Sequence, residues 1–159
     1  MGKQKIDTKF LDKVWISLAT LFGLGFVPLL GGTIGSICGL IVFLSAGEKA
    51  WFEPAVFVLI FVSFLVSDRA EHIFREKDSK KIIIDDFTGM LISFMFIPKT
   101  PLFAICGFFL FRAFDFFKVW PANKIEDMHG GLGVAGDDVM AGIYANLVLQ
   151  GLKLALNSG

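Results

Sequence analysis

The chain has 159 residues, 55% of them apolar and only 19% charged, with a formal net charge of zero. That is one domain's worth of sequence, taken as residues 1–159, and its charge falls short of the roughly one-quarter found in soluble domains. The neutral balance excludes a global basic surface for nucleic acid, and Cys38 and Cys106, both inside apolar runs, do not make a disulfide framework.

Apolar residues cluster into runs of near-membrane length. The expected fold class is all-α, a polytopic integral membrane helical bundle. Backbone in hydrocarbon must satisfy its own hydrogen bonds, which favours helices.

Lys3, Lys5, Lys9 and Lys13 open the chain, and the first apolar run extends from Val14 to Leu30. No A-x-A-like site ends it, so it is not expected to be a removed signal. Further runs follow at Ile34 to Ala46, Ala55 to Val66, Phe87 to Ile97, Leu102 to Phe111 and Val139 to Leu156. Several are shorter than the roughly 20 residues that span a bilayer unaided, and tilt or flanking residues would make up the length.

Basic residues fix an orientation. The lysine-rich start, the loop with Arg69, Arg75, Lys77, Lys80 and Lys81, and the segment with Arg112, Lys118 and Lys124 should share the cytoplasmic side. The connections around Lys49 and Lys99 then lie outside. This works if the first run is re-entrant or lies on the surface. Every acid-rich or glycine-rich motif would then reach one membrane face.

Two segments share a local design. "IIIDDFTGMLISF" holds Asp85 and Asp86 with Gly89 four residues after Asp85; "AGDDVMAGIYANL" holds Asp137 and Asp138, with Ala141 and Gly142 at the same spacing. Positions four apart share a helix face, so each pair sits one turn from a small residue where a helix or ligand can approach. Helix capping is the plain alternative for either pair alone. Four acids at the starts of apolar runs, with Asp115 inside "FRAFDFFK", ask for more, because ionisable groups at membrane depth are costly. Gathered carboxylates repel unless a cation joins them, and hard oxygen ligands suit Mg²⁺.

Phosphate needs positive charge or backbone N–H donors. Arg112 lies three residues before Asp115 and Lys118 three after it; an ion pair between Arg112 and Asp115 is the competing reading. "GGTIGS", with Thr33 and Ser36, reads either as a capped turn or as a phosphate-binding nest. The loop with Gly130, Gly131, Gly133 and Gly136 has the same two readings. Cys106 and Arg112 match a C-x5-R spacing only by accident, since Gly-Phe-Phe-Leu-Phe between them forms no ring of donors. His72 and His129 lack arginine-rich company and read as surface or interface residues. No Walker loop or dinucleotide fingerprint occurs.

Taken together, "GGTIGS", "EKDSKKIIIDDFTGM", "FRAFDFFKVWP" and "HGGLGVAGDDVMAG" resemble, in order, the motifs of the phosphatidylglycerophosphatase A family, over about Leu21 to Asn146. Gly31, Asp86, Val119 and Ala135 stand where the family usually has proline, glutamate, proline and methionine. Asp86 keeps the carboxylate.

The resemblance implies a multi-pass enzyme of the bacterial inner membrane, its site facing the cytoplasm. It would use Mg²⁺ to hydrolyse phosphatidylglycerophosphate to phosphatidylglycerol and inorganic phosphate. Glu71 and Asp78 fall where the family also tends to be acidic, although a solvated face explains them equally.

The expected metal set is Asp85, Asp86, Asp137 and Asp138. Asp86, Asp115 and Asp138 are the catalytic candidates, with Asp115 either a further ligand or an anchor for Arg112. Thr33, Ser36, Arg112 and Lys118 are expected to bind substrate. Attack by water and attack by a carboxylate both remain open. The rival classes are a small cation- or proton-coupled transporter, which needs acids near the bilayer midplane, and a non-catalytic assembly subunit. Oligomeric state is not legible.

Overall fold

The computed structural model describes residues 8–27, 30–76, 79–126 and 130–158. These residues are all-helical, with no strand among them. Lys3, Lys5, Asp78 and His129 lie outside the described residues.

The first apolar run does not make one helix. Helix α1, Thr8–Ala19, stops where Leu21, Phe22 and Gly23 take positive φ, and a single 3-10 turn, Leu24–Phe26, follows. Two residues with side chains in left-handed backbone are enough to end a helix. Thr20 finishes it locally, its hydroxyl donating to the Ile16 carbonyl and accepting from Gly23 N–H. A surface-lying or re-entrant segment was expected. The twelve-residue α1 packs on α3 without running on as a continuous span.

Five long or central helices follow: α2, Gly31–Ala46; α3, Phe52–Phe74; α4, Ile84–Ser93; α5, Pro101–Phe117; and α7, Gly131–Asn157. A short α6, Ala122–Glu126, precedes α7. Local chemistry sets several ends. Thr100 caps α5 by accepting from Phe103 N–H, with Pro101 in the first turn. Lys118 in left-handed backbone closes that helix. Gly130, also at positive φ, starts α7, and the Asp68 carboxylate on α3 accepts from Gly131 N–H.

Helix α4 is the centre. It has 10 residues, about 15 Å of rise, and packs against α2, α3, α5 and α7. Its buried hydroxyls bond back one turn: Thr88 donates to Ile84 O at 2.7 Å and Ser93 to Gly89 O at 3.0 Å. The run from Phe87 to Ile97 is therefore apolar because protein surrounds it, and its helix ends at Ser93.

Helices α4 and α7 lie side by side in the same direction. Gly89 faces Asp138 and Gly142, and further along Asn146 Nδ2 donates to Ser93 O and Met95 O at 3.0 and 2.8 Å. Gln150 Nε2 reaches Met95 O, and Lys153 Nζ reaches Phe96 O. The carbonyls left over at the end of α4 are thus satisfied by one edge of α7. Beyond them the Lys99–Glu48 ion pair, 3.3 Å, marks the same end of the bundle.

The main core joins Phe43, Phe52, Met90, Leu91, Phe94, Phe111 and Leu149, with Phe43 and Phe94 stacked at 4.1 Å. The exterior is also apolar: Ile41, Leu44, Phe57, Phe61, Leu65, Ile105, Phe109, Leu147 and Leu154 are all exposed. Among the described helices, α7 alone is both long and apolar enough to cross a membrane by itself; α2 is a shorter apolar helix.

Candidate active site

The helix starts that carry acids converge. Asp85, Asp86, Arg112, Asp115, Lys118, Asp137 and Asp138 line one cavity of about 590 Å³, together with Gly31 and Gly32. Four helices supply them: α2 the glycines, α4 and α7 the acid pairs, and α5 the residues from Arg112 to Asp115, with Lys118 at its end. Close packing makes this possible. A methyl group on Gly32 would lie 2.7 Å from Asp86 Oδ1, and one on Gly89 would lie 2.6 Å from the Asp138 carbonyl. Only hydrogen at these two positions lets α2 and α7 come so near α4.

Asp85, Asp86 and Asp138 each offer a carboxylate oxygen within 4.8 Å of the others, a group able to hold a metal ion. Asp138 is 6% exposed, and its Oδ1 is buried without a hydrogen-bond partner. Asp85 Oδ1 accepts from Asp86 N–H at 3.0 Å. Asp137, expected in the same set, turns instead toward Lys118, whose Nζ lies 2.8 Å from its Oδ2. Adjacent helical residues point about 100° apart, so one member of the pair enters the triad and the other meets α5.

Arg112 is held from three sides. Its Nη1 donates to Asp86 Oδ1 at 2.7 Å and to Ser36 Oγ at 3.3 Å, and forms an ion pair with Asp115 Oδ2 at 2.9 Å. Of the two expected roles for Asp115, anchoring Arg112 is the one the geometry carries. Ser36 is fully buried, donates to Gly32 O and acts on the cavity through Arg112. Thr33, in the first turn of α2, is not among the lining residues. Neither is Glu71, which lies on α3.

Charge defines what the cavity accepts. Five lining carboxylates outnumber the four lining cations, Lys80, Lys81, Arg112 and Lys118, by one negative charge when all are ionised, and Arg112 and Lys118 are already paired with acids. An anionic phosphate enters such a place only with added positive charge. The orphaned Asp138 oxygen and the all-carboxylate donor set fit a hard divalent cation.

Exposed Lys80 and Lys81 also line the cavity, with Ser79 and Ile82, and Gly25, Phe26 and Val27 line it next to them, Gly25 packing on the Lys81 carbonyl. Sequence reading had counted the two lysines only as orienting charge; their position just ahead of "IIIDD" was the available signal. Glu76 beside them accepts from the Ser79 hydroxyl at 2.9 Å and pairs with Lys81 at 3.5 Å. That hydrogen bond first, and the ammonium second, hold its carboxyl below the usual range. The supporting residues Asp68, Asn146 and Gln150 were also not anticipated.

Such a cavity suits an enzyme that handles phosphate beside a cation. The sequence profile of the phosphatidylglycerophosphatase A family matches residues 17–153. An Escherichia coli relative named phosphatidylglycerophosphatase A is 29% identical over 143 residues, covering 87% of this chain and 83% of that protein. One from Haemophilus influenzae with the same name is 31% identical, covering 86% of each. A Bacteroides thetaiotaomicron relative, provisionally named a phosphatidylinositol-3-phosphatase, is 29% identical over 84% of this chain and 90% of its own. No solved structure matches significantly. The chain belongs to the phosphatidylglycerophosphatase A family and is a phosphatase.

Proposed function

We propose that this phosphatase acts as a single domain in the bacterial inner membrane, cleaving the terminal phosphate of phosphatidylglycerophosphate in a Mg²⁺-dependent reaction at the cytoplasmic face. The products are phosphatidylglycerol and inorganic phosphate. One observation carries the reading: acids from α4 and α7 meet the cations of α5 in one cavity, with three carboxylate oxygens within 4.8 Å.

The apolar exterior supports the membrane assignment. In the proposed topology α1 lies on the cytoplasmic surface; α2, α4 and α7 lead outward, and α3 and α5 return. Asp138 and Lys153 are 15 residues apart on α7, about 22 Å along its axis, so the acids sit toward one boundary while Lys99, Glu48 and Lys153 mark the other. That depth also argues against a midplane ion path. A reporter fused after Lys81 should stay cytoplasmic; one exposed outside would reverse the orientation.

Asp85, Asp86 and Asp138 would hold the Mg²⁺. When bound, the ion supplies charge neutralisation for the phosphate and lowers the pKa of water. Arg112, fixed by Asp86, Asp115 and Ser36, faces the phosphoryl oxygens as a preorganised donor, and Lys118 adds a second charge. Asp138, through the carboxylate oxygen left off the ion, would take the proton from the attacking water. Water oxygen bonds to phosphorus, the bond from phosphorus to the glycerol oxygen breaks, and that oxygen takes a proton from solvent water at the cavity mouth, to which Asp138 returns the proton it accepted.

The test uses full-length protein in detergent. Phosphatidylglycerophosphate with Mg²⁺ should release phosphate, and Asp138→Asn should cut kcat by about 10²-fold or more with the melting temperature retained. Phosphatidylinositol 3-phosphate serves as the competing substrate. Faster turnover of it, or undiminished activity in Asp138→Asn, would overturn the proposal.

A further inference from the structure

The cavity mouth has two unlike walls, and they are locked together. Gly25 packs directly on the Lys81 carbonyl, with no space for a Cβ between them, and Ile83 N–H donates to Ala19 O at 2.9 Å. The Phe26 ring meets Phe74 edge-on at 6.4 Å, while Lys81 Nζ lies 5.2 Å from the same ring. One aromatic side chain thus backs both the apolar wall and the basic one.

The apolar wall continues outward. Phe22 is 85% exposed, and Leu24, Phe26, Val27 and Leu30 are exposed beside it. The left-handed backbone at Leu21, Phe22 and Gly23 ends α1 and leaves the Phe22 side chain exposed. Holding large apolar side chains in water is unfavourable, and left-handed backbone with bulky side chains adds strain. A lipid phase relieves the first cost.

Charge separates the two ends of the cavity. Inside, Arg112 and Lys118 face the buried carboxylates; at the rim, Lys80 and Lys81 are exposed, and Lys81 shares its charge only with the exposed Glu76 at 3.5 Å. The proposed substrate, phosphatidylglycerophosphate, has a second, bridging phosphodiester besides its terminal phosphate, and this group needs positive charge away from the buried acids.

We propose that the mouth is a two-sided phospholipid subsite. Lys80 and Lys81 bind the bridging phosphodiester, and Phe22, Leu24, Phe26 and Val27 form a lip in the bilayer surface that receives the first carbons of the acyl chains. The subsite rests on the lipid-phosphatase reading above and specifies how that substrate is gripped. A phosphomonoester lacking the diester is correspondingly a poor ligand.

The experiment measures lipid hydrolysis by full-length protein in vesicles. Competitors are deacylated glycerophosphoglycerophosphate, which keeps both phosphates, and glycerol 3-phosphate, which keeps one. The deacylated diphosphate should inhibit at least about tenfold better, the worth of a charged hydrogen bond. Lys80→Glu with Lys81→Ala should raise KM for the lipid about tenfold or more and erase that preference, with Lys80→Arg restoring it. Phe22→Ser with Phe26→Ser should raise the lipid KM several-fold yet leave inhibition by the deacylated compound unchanged.

Equal inhibition by the two soluble compounds, or none by either, would overturn the lysine wall. Lipid KM unchanged in the phenylalanine variant would overturn the lip. No hydrolysis of the lipid by the unmodified protein is a separate result, and it would sink the proposed function instead.

Discussion

Arg112 Nη1 lies 2.7 Å from Asp86 Oδ1, joining α5 to α4 across 26 residues of chain. The same nitrogen meets Asp115 one turn away at 2.9 Å. The two N–H bonds of that nitrogen lie in the guanidinium plane, which fixes where Asp86 and Ser36 accept from it while Asp115 pairs with its charge.

Lysine cannot reproduce that bridge. Arg112→Lys should lower kcat by about 10²-fold and stability by about 1–2 kcal/mol. This is below the 3–5 typical of fully buried pairs, because the arginine side chain keeps 29% exposure. A double-mutant cycle with Asp115→Asn should return a coupling of about 1 kcal/mol. Strict additivity would remove the anchoring role.

Glycine packing gives a second prediction. A methyl on Gly142 would collide with the Gly89 carbonyl and lie 3.0 Å from Ile92 Cβ, whereas Gly151 has nothing within 4 Å. Gly142→Ala should therefore destabilise by about 1–3 kcal/mol. Gly151→Ala, in the same helix, should be neutral or stabilising by up to about 1 kcal/mol. Denaturation in detergent compares them; equal effects would refute the close α4–α7 approach.

Cation binding can be read without turnover. Mg²⁺ should raise the melting temperature of the unmodified protein, by an amount corresponding to about 2.7 kcal/mol at a hundredfold excess over Kd. Asp85→Asn, Asp86→Asn and Asp138→Asn should each lose most of the shift, and Asp137→Asn should keep most of it. Its partner is Lys118 at 2.8 Å. The opposite ranking would move the metal to the other member of the pair.

Asn146 tests the far end of α4. Asn146→Leu leaves the buried Ser93 carbonyl without this donor, while Met95 O keeps Gln150 Nε2; the loss costs about 1–3 kcal/mol. Lys153→Ala, at the exposed Phe96 carbonyl, should cost less. Thermal melts of the two variants decide it.

The acid pairs were legible because an apolar chain rarely places charge at helix starts, and small residues one turn on marked the faces that approach. Which member of Asp137 and Asp138 enters the triad was not, since that depends on how α7 is rotated against α5. The break at Ala19 was hidden by continued hydrophobicity through Leu30. The bounds of α4 were displaced, Ile84–Ser93 against an apolar run from Phe87 to Ile97, because the helix starts through the acids and the apolar residues continue past its end. Asn146, Gln150 and Lys153 look like ordinary polar punctuation until the end of α4 is set beside them.

Helix α4 leaves the ribosome well before α7, whose amides and glycine it requires. Until that last partner arrives, the nascent chain holds acids without their neighbours and carbonyls without donors, an intermediate that quality-control proteases would recognise. Premature stop codons anywhere upstream of α7 should therefore behave as complete nulls, with no graded loss along the gene.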